Sequence, residues 1–138
     1  MRNFSYLISK CMEVLAFVFA PLLLALMIYA TLREQKSELV MQFISCFDIN
    51  LKTDIHLPHW VKDNLVNGLW AFSFANAISL ASAGEKRATR FGYFGIALLV
   101  ALLIELSQLY RDYGAFDTGD LLFIFFGFAI ALLFRKRS

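Results

Sequence analysis

The run from Val14 to Leu32 carries nineteen residues without a charge, and it constrains this chain more than any other stretch. Wound as a helix at 1.5 Å per residue, such a segment spans about the 30 Å hydrocarbon thickness of a bilayer. A cleavable signal is not expected, because the run exceeds an h-region and no small-x-small site follows Leu32. Pro21 inside it is expected to kink the helix or break it locally. Hydrophobic residues make up 59% of the 138, and the mean hydropathy is +0.63. Soluble domains are only roughly half apolar, so the composition points to a membrane protein. None of the long runs alternates as a barrel strand would, which leaves helices.

The expected fold class is an all-α integral membrane protein, a four-transmembrane-helix bundle forming one domain over residues 1–138. The spans are placed at about 14–32, 65–83, 91–110 and 118–134. Between the first two, Val40, Phe43, Ile44, Phe47 and Leu51 recur at helical spacing with Glu38, Gln42, Ser45 and Asp48 among them. A short interfacial amphipathic helix at about 38–48 is expected in this first outer loop, as a passive anchor or a lid. Gly92, Gly95 and Gly127 are the expected points of close helix contact, and the polar residues of the second span turn at least one of its faces inward.

Charge sets the orientation. Arg2, Lys10, Lys86, Arg87, Arg90, Arg135, Lys136 and Arg137 fall on one side of a four-span chain. Arg33, Lys36, Lys52, Lys62 and Arg111 fall on the other, so both termini are expected to be cytoplasmic. The net charge of +2 is too small, and too tied to span ends, to suggest a nucleic-acid partner. Cys11 and Cys46 flank the first span and cannot pair across it. His56 and His59 have a His-x-x-His spacing, but Pro58 breaks the helix between them and no further ligand is near. No metal and no cofactor is expected. Trp60 reads as an interfacial anchor.

The chemistry gathers in ELSQLYRDYGAFDTGD, residues 105–120. Glu105 lies inside the third span, about five residues before its outer end, where an ionisable side chain is costly and marks a functional site by default. Gln108 follows at i+3 and Asp112 at i+7, one face if the helix continues, and Arg111 is the nearest cation. Asp117 and Asp120 have two readings. As helix-start residues they cap free N–H groups or complement the dipole; as site residues they converge with Glu105 across a short return through Gly114. Asp63 and Asn67, at the start of the second span, supply a further wall. No nucleophile with an adjacent base and no phosphate loop is present, so the candidate catalytic residues are only Glu105 and Asp120, as acid or base.

The pattern Glu105-x-x-Gln108, Arg111, Phe116-Asp117-x-x-Asp120 and Gly127 resembles the C-terminal signature of VanZ-like membrane proteins of bacteria. Asp63-Asn64-Leu65-Val66-Asn67 is similar to that family's earlier D-K-x-x-H element, with Asn64 in the Lys position and Asn67 in the His position. Ile124 stands where the family pattern has Asn, which makes the site less polar. The resemblance implies a bacterial inner-membrane protein with a cell-envelope role, of the kind linked to glycopeptide antibiotic tolerance. The expected function is binding of a lipid or envelope glycan headgroup by Glu105, Gln108, Arg111, Asp117, Asp120, Asp63 and Asn67. The alternatives are a membrane enzyme acting on a lipid-linked substrate by carboxylate acid/base chemistry, and an oligomeric or pore-forming protein. The expected partners are membrane lipids, a lipid-linked or glycan ligand, and a second copy or another membrane protein.

Overall fold

The computed structural model describes residues 2–32, 42, 58–110 and 116–135, and every element among them is a helix. The first helix begins at Arg2, twelve residues ahead of the apolar run, because Arg2–Val14 places its few charges at helical intervals among apolar residues. It comprises α1 (Arg2–Val14), a π-helical turn (Leu15–Phe19) and α2 (Ala20–Leu32). The π turn is the form that the break at Pro21 takes. In a regular α-helix the proline ring would press on the carbonyl of Phe17. Here the turn just before it is widened, and the Ala20 N–H donates to the carbonyl of Leu15, five residues back.

A short helix, α3 (His59–Lys62), leads into α4 (Asn64–Ala81). Then come α5 (Arg87–Ser107), a 3-10 turn (Gln108–Tyr110) and α6 (Thr118–Arg135). Among the described residues two helices are long and apolar enough to cross a bilayer, Phe4–Thr31 and Arg87–Ser107, while Thr118–Phe134 is apolar but shorter. Both show large apolar side chains outward, among them Leu23, Met27, Ile96, Leu99 and Leu103, each about half exposed or more. The expected interfacial helix at 38–48 lies outside the described residues except for Gln42.

The least apolar of the expected spans, α4, is the centre of the bundle. It packs against α2, α5 and α6 and buries Gly68, Ala71, Ser73, Ala75, Asn76 and Ser79. Its polar side chains are inside at low cost because they bond to their own helix. Ser73 Oγ donates to Leu69 O at 3.0 Å, Asn76 Nδ2 to Phe72 O at 2.9 Å and Ser82 Oγ to Ile78 O at 2.8 Å. The polarity read in the second span therefore serves packing in these three residues, with small side chains bringing helices close.

α4 and α6 run parallel, since Asn64 meets Gly119 at one end and Phe72 meets Phe134 toward the other. They touch backbone to backbone at Gly127, where an added Cβ would lie 2.5 Å from Gly68 O and 2.9 Å from Phe72 N. α5 runs the opposite way, with Phe94 edge-on to Phe128 at 5.0 Å. Ala71, Ala75, Ala97, Ala101 and Ala131 surround the almost fully buried Phe128, so a single ring fills the space that five alanines leave. The expectation of close contact at Gly92 and Gly95 is corrected here. A methyl added at either would meet nothing within 4 Å, and Ala97 and Ala101 make the approach instead.

Candidate functional site

Glu105 is 4% exposed, two residues before the end of α5. The α-helix tightens into a 3-10 turn directly after Ser107, and Asp112, which would share the face if the helix continued, lies outside the described residues. Gln108 still reaches its neighbour one turn back, because i and i+3 stay on one face in either geometry. Its Nε2 donates to Glu105 Oε2 at 2.9 Å. One oxygen of this buried carboxyl group is thus held by the Gln108 amide, which orients the group.

The two residues form the polar end of a cleft of about 400 Å³. α2 makes one wall with Leu22, Leu26 and Tyr29, and α5 with the 3-10 turn after it makes the other with Ala101, Ile104, Glu105 and Gln108. Val66, Asn67 and Trp70 of α4 and Ile124 of α6 close it from behind. The cleft is therefore amphipathic along its length. Glu105, Gln108 and Asn67, with Tyr29, come from the helix ends that meet at one end of the cleft, and aliphatic side chains with Trp70 line the rest.

Of the residues singled out in the sequence, Glu105, Gln108 and Asn67 are brought together. Ile124 joins them as an apolar wall only 2% exposed, at the position where the VanZ-like pattern has Asn. Asp120 is buried at 7% exposure and lies one turn from Ile124 on the same face of α6, but it is not among the walls of the cleft. Asp117 is exposed, and its Oδ1 accepts from the Gly119 N–H at 2.9 Å, an N-cap bond at the start of α6. Asp63 is half-buried at the start of α4 and makes no side-chain capping bond there. Arg111 lies outside the described residues, as do Asp112 and Gly114.

Tyr29 and Trp70 are cleft residues that sequence reasoning passed over. A signal existed for each, since Tyr29 is the one phenol in the uncharged run and Trp70 an indole in the second span. Helical period alone does not say that both turn toward Glu105.

The cap makes a clean prediction. Asp117→Ala should cost about 1 kcal/mol of stability through loss of the bond to Gly119, read as a lower thermal midpoint in detergent. Asp117→Asn keeps an oxygen at that place and should hold the midpoint near wild type.

No family model, no curated protein and no solved structure matches the chain. What the cleft can do is read from its geometry.

Proposed function

We propose that this is a VanZ-like membrane protein of the bacterial inner membrane that binds the polar headgroup of a lipid or lipid-linked envelope glycan in the Glu105 cleft. The carrying observation is a carboxylate 4% exposed at the polar end of an otherwise apolar cleft. A ligand with hydroxyl, amide or ammonium donors would meet Glu105 and Asn67, and its hydrocarbon portion would lie against Leu22, Leu26 and Ile104. Binding is the reading that the amphipathic cleft supports, with Glu105 as an acceptor at its polar end and an apolar wall beside it.

Four spans with cytoplasmic termini are part of the same reading. Two long helices that expose their apolar faces support membrane insertion, since the core helix of a soluble domain would hide them. The shorter α6, which also turns Leu122, Phe125, Phe126 and Leu133 outward, and the polar α4 at the centre of the bundle are then the remaining spans. The distribution of Lys and Arg supports an orientation with the Glu105 end of the cleft on the outer face.

The test is native mass spectrometry of protein released from its own membranes. A lipid or glycolipid adduct retained by the wild type and lost from Glu105→Gln is the expected result. An adduct spectrum that Glu105→Gln leaves unchanged would sink the assignment.

A further inference from the structure

A second pocket lies at the opposite end of the bundle, with a volume of about 280 Å³. Lys10 and Glu13 enter it from α1, Phe17 from the π turn, Asn76 from α4, Arg90 from α5 and Phe134 from α6. Lys10 and Tyr29 are nineteen residues apart on the first helix, roughly 28 Å at 1.5 Å per residue. That is close to the thickness of the hydrocarbon core, so the two pockets belong to opposite faces of a membrane.

The charges in this pocket do not cancel. Lys10 Nζ is held by Glu13 Oε2 at 2.7 Å. Arg90 is half-buried, and among the described residues its guanidinium makes no ion pair or hydrogen bond. The local balance is one positive charge, presented with five donors in a planar fork. Walls of Phe17, Leu80 and Phe134 stand beside it, and the rings of Phe17 and Phe134 meet at a tilt with 5.9 Å between centroids. Phe17 comes from the π turn, a backbone form that recurs at functional positions.

We infer that this pocket binds the phosphodiester of an anionic phospholipid in the leaflet opposite the Glu105 cleft, with Arg90 as its principal ligand and Lys10 beside it. A phosphodiester carries one negative charge and matches the pocket's balance, and its acyl chains have the aromatic and aliphatic walls to lie on. Basic pockets between membrane helices on the cytoplasmic side are a recurrent site for such headgroups. The positive end of this chain is the same end. The inference rests on the membrane-spanning reading but not on the ligand of the Glu105 cleft.

The experiment measures retention of phosphatidylglycerol and phosphatidylcholine by the full chain in detergent, by native mass spectrometry with added lipid. Phosphatidylglycerol should bind in preference to phosphatidylcholine, and Arg90→Gln should weaken it about fivefold, with Arg90→Lys intermediate. Glu13→Gln releases Lys10 and should strengthen binding, a gain that misfolding cannot mimic. Equal retention of the two lipids, or the same phosphatidylglycerol affinity in wild type, Arg90→Gln and Glu13→Gln, would overturn the site. A thermal shift with millimolar inorganic phosphate equal to that with phosphatidylglycerol would overturn the lipid assignment. Extraction of the chain from membranes by alkaline carbonate would instead overturn the membrane reading itself.

Discussion

Gly127→Ala is expected to be the most damaging single-methyl change in this protein. The new Cβ would fall 2.5 Å from Gly68 O, 2.9 Å from Phe72 N and 3.0 Å from the Ala71 Cβ. Two of those three neighbours are backbone atoms of a helix, which cannot swing aside as a side-chain end can. α4 and α6 must therefore move apart. That separation would loosen Ile124 and Phe128, which α6 contributes to the alanine-lined core. Overpacking of this kind costs about 1–3 kcal/mol, and the rigid backbone here argues for about 3 kcal/mol. The measurement is thermal unfolding in detergent, followed by tryptophan fluorescence from Trp60 and Trp70. Gly92→Ala and Gly95→Ala are the controls. A methyl at either meets nothing within 4 Å, and alanine is the better helix former by about 0.5–1 kcal/mol, so neither should lower the midpoint. Equal tolerance of alanine at all three glycines would refute the Gly68–Gly127 contact.

The second large effect is on ligand retention by the outer cleft. Glu105→Ala removes the charged acceptor and also takes away the acceptor to which Gln108 Nε2 donates. Glu105→Gln keeps the volume and an acceptor oxygen for Gln108, and removes only the charge. Hydrogen bonds to charged groups contribute about 1.5–3 kcal/mol, so loss of the charge alone should weaken binding roughly tenfold or more. Glu105→Ala should weaken it further and lower stability as well, because it leaves a gap beside the buried Ala101. Gln108→Leu is expected to have a smaller effect, since it acts through the orientation of the carboxylate. Asp117→Asn should have none on binding. Wild-type affinity in Glu105→Gln would exclude a charged acceptor at the polar end, and a loss in Asp117→Asn as large as in Glu105→Gln would return Asp117 to the site.

The helices, the polar corner and the balance of charge at the two ends were legible in the residues alone. Helix formation follows from the length and continuity of apolar runs, and the isolation of Glu105 in one of them is visible by inspection. The local chemistry of Asp117 was legible too, since an Asp before a helix and its N2 amide are neighbours in sequence. The π turn could be placed near Pro21 but not described, because the choice between a kink and a widened turn depends on what packs around it.

What sequence could not supply was which faces meet. The inclusion of Ile124, Tyr29 and Trp70 in the Glu105 cleft, and the replacement of Gly92 and Gly95 by Ala97 and Ala101 as contact points, all depend on helix rotation and spacing. Those quantities are set by close packing between segments far apart in the chain, above all the backbone contact of Gly68 with Gly127. The sequence by itself determined an all-helical chain with an acid inside an apolar run and a surplus of cations at one end. Only the tertiary structure decided that the acid opens into an amphipathic cleft and that Lys10, Glu13 and Arg90 share a pocket, because side-chain proximity between helices is a property of their packing and not of their period.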